Sequence, residues 1–393
     1  MNPGLVIKLR PTGPWRIGPD SGARNQVDAI YHSDTLYSAV SAAMARLGWF
    51  DDWLGATARN GSPAVIFSSC FPFVEEIGFV VPPRTIWPPT SPALLSARVR
   101  WKSARFVPLG IVPALLAGQS LDENQWAVDG LSGCLLPAGR SGPFRTGVRF
   151  NAAVDRLTGA AERHSVACLE FRPGAGLWAL ASFADQAAYQ HWQDRLKTAF
   201  RVLADSGFGG ERSRGWGRAE TPEFTDGMLP EMILDSRAQS GGAGQEPEAG
   251  ESPAAEAASA PPEASIPAID PNGAEPSTEP EHITEPESPA PDTRPPVPDS
   301  AGPQWLLSLF TPGAADSIDW DRGNYTVLAR GGRIESPFRS GELKKQINMV
   351  SEGSVLYAAA ALRGSAADVA PDGFEHPVFR VGFAVSIPLP EAS

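Results

Sequence analysis

Apolar positions recur along the chain with two periods, and each period marks an element. "LVIKLR" (Leu5–Arg10) is a candidate strand, followed by a loop with Gly13, Pro14, Gly18 and Pro19. Leu36, Val40, Met44 and Leu47 then fall at helical spacing, with Gly48 as a stop and Ser33 or Asp34 as an N-cap. "PAVIFSSCFPFV" reads as a strand running into a loop, and "RVRWKSARF" (Arg98–Phe106) fits strand or helix alike. "RTGVRFNAAV" and "RHSVACLEF" flank "DRLTGA" and predict a hairpin between Arg140 and Arg172. Trp192, Leu196, Phe200 and Leu203 share one face of a helix over about 185–205, closed by Gly207. A weaker strand signal follows at 219–224. Four strand-like runs close the chain: "WLLSLF", "YTVLARGG", "INMVSEGSVLY" and "VFRVGFAVSIPL".

In the first part this order is strand, helix, strands, helix, loop, strand. It is the βαββαβ pattern of a ferredoxin-like or RNA-recognition fold, so the expected class is α+β. The C-terminal part is expected to be a second, reduced version. Residues 236–303 break the pattern. They are rich in Pro, Ala, Glu and Ser, and bury too little apolar surface to offset the entropy of ordering. The expectation is a disordered linker between domains at 1–235 and 304–393. A chain of 393 residues has room for both.

That segment also changes the meaning of the charge. The whole chain carries −12, which argues against a nucleic-acid partner. Residues 236–303, however, hold 13 of the 45 acidic residues and only 2 of the 33 basic ones. The remainder has 31 basic and 32 acidic residues and can carry a local basic groove. No apolar run is long enough to span a membrane. The N-terminus lacks the features of a secretory signal. Cys70, Cys134 and Cys168 lie far apart, which argues against a disulfide framework or a zinc site and suits a reducing cytoplasm. No cofactor or metal is expected.

"GFGGERSRGWGR" (Gly207–Arg218) holds the densest candidate chemistry. Gly207, Gly209, Gly210, Gly215 and Gly217 allow positive φ and close backbone approach, and successive N–H groups can form an anion site. Arg212, Arg214 and Arg218, with Ser213 between them, add donors suited to phosphate. The composition fits a phosphate cradle, and equally a tight helix-to-strand turn with solvated arginines. The spacing matches neither a P-loop nor a dinucleotide fingerprint.

"HSDTL" places His32 and Ser33 at a helix start, where an anion is favoured. The same residues are also explained by plain capping. His32 could act as a general base on a ribose hydroxyl, although a lone histidine is more often structural. The hairpin region carries six arginines against three acids, among them Arg145 and Arg149. Trp15, Trp101 and Trp216 are candidate base-stackers or core residues. Arg330, Arg333, Lys344 and Lys345 form a second basic cluster in sequence.

The glycine loop closely resembles that of the RAMP superfamily of CRISPR proteins, and "HSDTLYSAV" resembles the superfamily's first-helix motif. "SSCFPFV", "GVRFNAAVDRLTGAAE", "YTVLARGGRI" and "NMVSEGSVL" narrow the resemblance to the fourth-subunit family of the type III-A (Csm) effector. The resemblance implies two ferredoxin-like domains and a non-catalytic subunit that holds the 5′ tag of the crRNA. It implies contacts with the large signalling subunit and the first backbone RAMP subunit. It also implies a thumb hairpin at about 145–165 that inserts at the guide–target RNA duplex. The acidic linker departs from the family pattern. Target cleavage by backbone subunits uses an aspartate in a different loop, so no nuclease role passes to Asp34. The competing reading is a metal-independent RAMP endoribonuclease that processes precursor RNA, with His32 helped by Arg16 or Lys8.

Overall fold

The structure is a computed structural model that describes residues 2–18, 23–89, 101–234, 301–335 and 340–390. Residues 236–300 of the expected linker, and Arg98–Arg100, lie outside the described residues. Residues 1–241 and 297–393 together form one compact unit.

The first part is built on an antiparallel sheet. Its strands are β1 (Asn2–Leu9), β2 (Val65–Phe67), β3 (Phe71–Val74), β4 (Ile77–Val80), β5 (Val107–Pro108), β10 (Ala175–Phe183) and β11 (Glu223–Leu229). They run in the order β11-β1-β10-β3-β4-β5, with β2 also on β10. All nine residues of β10 are buried, so both faces of this central strand are covered. The short strands β6 (Trp126–Val128) and β7 (Leu135–Pro137) pair beside it.

Two long helices follow the sequence periodicity. Helix α1 (Ser33–Arg46) buries Leu36, Tyr37, Val40, Ala43 and Met44, and Gly48 takes φ +76° just past its end. Two short helices, α2 (Phe50–Ala56) and α3 (Val112–Leu116), lie between it and helix α4 (Gln186–Ser206). Helix α4 buries Trp192, Leu196, Phe200 and Leu203, and its first turn is capped by Asp185, which accepts from the Ala188 N–H at 2.7 Å. It stops at Gly207, whose φ of +77° and ψ of 153° suit only glycine.

Strands β8 (Phe144–Val154) and β9 (Ala161–Phe171) form the long hairpin in unbroken register, Phe144 opposite Phe171 through Val154 opposite Ala161. Its root is packed and its outer half is exposed; Leu157 at the tip is 97% exposed.

Among the described residues from 301 to 390 there is no helix. Strands β12 (Gly302–Leu306), β13 (Ile318–Asn324), β18 (Val355–Ala358) and β21 (Ser386–Pro388) make a four-stranded sheet, β13-β18-β12-β21. Two-stranded ribbons surround it: β14 (Val327–Arg330) with β17 (Ile347–Val350), β15 (Arg333–Glu335) with β16 (Ser340–Leu343), and β19 (Gly364–Asp368) with β20 (Phe379–Phe383). Trp305, Leu307, Val355 and Phe383 join the same apolar core as the first part, and Trp305 Nε1 donates to the Val81 carbonyl at 3.2 Å. Each such side chain contributes about 1.5–3 kcal/mol on burial. The two ends of the chain therefore share a core, although 236–303 separates them in sequence.

Candidate nucleic-acid interface

The glycine loop is lashed to residues 12–16 by backbone hydrogen bonds. The Gly210 N–H donates to the Arg16 carbonyl at 2.8 Å, and the Gly217 N–H to that of Pro14 at 3.1 Å. The Arg218 carbonyl accepts from the Thr12 N–H at 3.0 Å and from Trp15 Nε1 at 2.9 Å. The approach is too close for side chains: a Cβ at Gly209 would sit 2.7 Å from the Arg16 carbonyl oxygen, and one at Gly207 2.5 Å from that of Trp216. Phe208 fills the space beneath, edge-on to Trp15 and Tyr31 with centroids 4.7 and 5.0 Å away.

Four of the five glycines thus serve packing as well as loop shape. The Gly210 N–H is committed to Arg16, and the Gly215 N–H to the Arg212 carbonyl at 2.9 Å, so the loop's outer face is made by side chains. Arg212–Arg214 form a single 3-10 turn in which Ser213 and Arg214 are exposed and Arg212 half-exposed, with exposed Gly215 after it. Arg218 is also exposed. An open groove lies against this turn, lined by Arg46, Ser206, Gly209, Gly210, Glu211, Arg212 and Ser213.

The hairpin root reaches the same loop. Trp216 packs on Val166 and Cys168 of β9. Arg145 and Arg149 bracket Glu170 on the opposite strand at 3.0 and 2.6 Å, with side chains 68% and 53% exposed. Between them, Gly147 leaves room for that carboxylate: a Cβ there would lie 2.6 Å from Glu170 Cδ. Glu75, at the β3–β4 turn, holds the hairpin root through Arg140 and Arg172 at 3.0 and 3.3 Å.

His32 and Ser33 lie inside the molecule, 5% and 4% exposed. His32, not Ser33 or Asp34, occupies the N-cap position of α1, and no side chain caps the helix there. Ser33 joins the two ends of the chain instead: its N–H donates to Ser69 Oγ, and its own Oγ accepts from the Leu309 N–H at 3.0 Å. Asp34 receives Arg330 at Oδ1 and Oδ2, 2.9 and 3.1 Å, and also Arg380. The His32 ring is held between Glu352 at 2.8 Å and Asp28 at 3.2 Å, Asp28 is paired in turn with Arg105, and Ser69 donates to Glu352.

These contacts fix protonation states. Burial works against a charged His32, but Glu352 and Asp28 outweigh it and raise its pKa to about 10. Burial likewise opposes the Asp34 carboxylate, and Arg330 and Arg380 outweigh it, lowering the pKa to about 2. Glu352 is lowered against its own burial by His32. His32 has an ordinary value of 6.5, so its stabilisation is complete below that pH and is lost as pH rises towards 10. Asp34 stabilises above its ordinary 3.8, and the effect is lost as pH falls towards 2. The urea midpoint of the protein is expected to fall on both sides of a maximum near pH 5–6. His32→Gln is expected to flatten the alkaline limb. A wild-type midpoint that stays level from pH 6.5 to 10 would rule out this account.

The remaining candidates separate. Trp15, Trp101 and Trp216 are 1%, 2% and 9% exposed, and Trp101 stacks on Trp87; all three pack in apolar clusters. Arg330 turns inward to Asp34, whereas Arg333 donates to the Gly341 carbonyl and Lys345 pairs with Asp372 at the surface. The competing ribonuclease reading needs His32 with Arg16 or Lys8 at one scissile phosphate. Arg16 is 8% exposed and donates to the carbonyls of Ala23, Arg24, Gln26 and Ala167; Lys8 pairs with Glu76. The three cysteines are buried and free. Among the described residues no group of three or more His, Cys, Asp or Glu could hold a metal, and no helix is long and apolar enough to cross a membrane.

The fold is similar to that of chains in solved type III-A CRISPR assemblies. It aligns with a chain of the Csm3–Csm4 subcomplex of the type III-A CRISPR-Cas interference complex, at 14% identity and a TM-score of 0.55, over 98% of this chain and 99% of that one. A chain of a Csm1–Csm4 cassette in complex with cA4 aligns at 13% identity and a TM-score of 0.52, over 100% and 99%. Residues 299–389 match the family model of the CRISPR Csm4 C-terminal domain. The family match is confined to this C-terminal part; over its whole length the chain shares its fold with those chains of the Csm3–Csm4 and Csm1–Csm4 assemblies. No curated protein matches the sequence.

Proposed function

We propose that this chain is the RNA-binding, non-catalytic fourth subunit of a type III-A interference complex, where it holds the 5′ tag of the crRNA. The observation that carries the reading is the Csm4 C-terminal domain at 299–389. In this reading the strand order β11-β1-β10-β2 with α1 and α4 is a ferredoxin-like domain. The C-terminal sheet is its reduced counterpart, and 236–303 is a linker between the two. The β8–β9 hairpin is the thumb at the guide–target duplex. The large signalling subunit and a backbone RAMP subunit flank the chain, as Csm1 and Csm3 accompany Csm4 in the similar structures.

RNA phosphates meet Arg212, Ser213, Arg214 and Arg218 on the outer face of the glycine loop, with Gly207, Gly209, Gly210, Gly215 and Gly217 setting its shape. Arg145 and Arg149 extend the basic surface onto the hairpin. His32 and Ser33 act from inside, by fixing the start of α1 behind Tyr31 and Phe208.

Co-purification tests the class: a stoichiometric short RNA with a common 5′ sequence, together with other CRISPR proteins, is expected. Protein that is free of RNA when the complex is intact would refute it. Arg212→Ala with Arg214→Ala is expected to weaken binding of tag-bearing RNA about tenfold or more at low salt. It should flatten the logarithmic salt slope by about 1.4, since two fewer counterions are released. An unchanged affinity and slope would make the loop structural.

A further inference from the structure

Among the described residues only two that are not glycine have positive φ, and both are glutamates: Glu75 at +54° and Glu211 at +60°. A Cβ makes this conformation unfavourable, and glycine adopts it freely. A loop that already contains five glycines nevertheless carries glutamate at such a position. In both cases the carboxylate holds arginine. Glu75 takes Arg140 and Arg172. Glu211 takes Arg214 across the 3-10 turn, from within the groove that Arg46 and Arg212 also line. Its side chain is 26% exposed, less than the 41% of Arg214.

We propose that Glu211 is an internal stand-in for phosphate: its carboxylate occupies the anion position of the glycine loop and must be displaced when RNA binds. The inference rests on the reading of this loop as an RNA-backbone site. A phosphate that replaces the carboxylate gains Arg214 but exchanges one ion pair for another and leaves Glu211 facing the RNA. A short or unspecific strand, with few other contacts, gains little from that exchange. A guide held at several further points can drive it. Glu211 thereby lowers affinity for any RNA by a common factor and sets a threshold: weak binders fall below it at working concentrations, and a guide held at several points does not.

Two variants separate the charge from the backbone. Glu211→Gln keeps the side chain and removes the anion; Glu211→Gly also removes the unfavourable φ. With full-length protein and an unrelated oligouridine RNA, both variants are expected to bind about fivefold more tightly than wild type. Their logarithmic salt slope should steepen by up to about 0.7. Glu211→Gly alone should also raise the thermal midpoint. Unchanged or weaker oligouridine binding by Glu211→Gln would overturn the inference. Arg212→Ala with Arg214→Ala, measured beside it, identifies which reading has failed. If that double variant loses affinity while Glu211→Gln gains none, only the role of Glu211 falls. If the double variant also binds as wild type does, the loop is not an RNA site and both readings fall.

Discussion

Asp34→Ala is expected to cost about 3–5 kcal/mol of folding stability, the usual loss when one partner of a buried ion pair is removed. The Asp34 side chain is 1% exposed, and the guanidinium groups it receives, those of Arg330 and Arg380, are 6% and 8% exposed. Without the carboxylate, two cations remain in the interior, Arg330 with two hydrogen bonds fewer and Arg380 with one fewer. Thr35 Oγ1 still receives Arg330, and the Gly331 carbonyl still receives Arg380, but neither carries charge. Both arginines come from the C-terminal part and Asp34 from the first helix, so the damage falls on the join between them. Urea denaturation should show the lower midpoint, and limited proteolysis should release the C-terminal part early. Asp34→Asn keeps the shape and an acceptor and should fall in between. A loss below about 1 kcal/mol in Asp34→Ala would mean that water reaches the pair and that it contributes as a surface bridge does.

The same residues show where sequence reasoning stops. Helices α1 and α4 and the β8–β9 hairpin were legible because their signals are local. Periodicity placed Leu36, Val40 and Met44 on one face, and a polar tip separated two apolar runs. The role of "HSD" was not legible, because its partners are remote: Asp34 meets Arg330 and Arg380 across 296 and 346 positions, and His32 meets Glu352 across 320. Read locally, Ser33 and Asp34 look like caps. A signal was nevertheless present. Arg330 in "YTVLARGG" and Arg380 in "VFRVGF" are charges inside apolar strand-like runs, and such charges require a buried partner. For Trp15, Trp101 and Trp216, composition cannot distinguish a base-stacking face from a core position; only tertiary packing does. The glycine loop stands out in composition, but Gly209 and Gly210 are explained by contact with Arg16, and Gly207 and Gly217 by main-chain contact within the loop, which no spacing rule reveals.

Gly217→Ala and Gly215→Ala give a sharper test of that division, because both glycines have the same left-handed φ, +78° and +80°. At either position an alanine costs about 1–2 kcal/mol from the backbone conformation alone. At Gly215 nothing lies within 4 Å of the added Cβ, so that cost should be the whole effect on stability. At Gly217 the Cβ would overlap the carbonyl oxygen of Phe208, and the obstacle is main chain that cannot rotate away. Relief requires moving the 207–217 closure, where the Phe208 N–H donates to the Gly217 carbonyl at 3.2 Å and the Gly217 N–H to that of Pro14. Gly217→Ala is therefore expected to lose about 3 kcal/mol or more, with the backbone strain and the broken closure acting together. RNA binding then divides the pair differently. Gly215 sits on the exposed side next to Arg214, so Gly215→Ala should weaken tag-bearing RNA more than its small stability loss explains, provided the RNA backbone approaches there. Equal stability losses in the two variants would show that the close packing at Gly217 is not what requires a glycine.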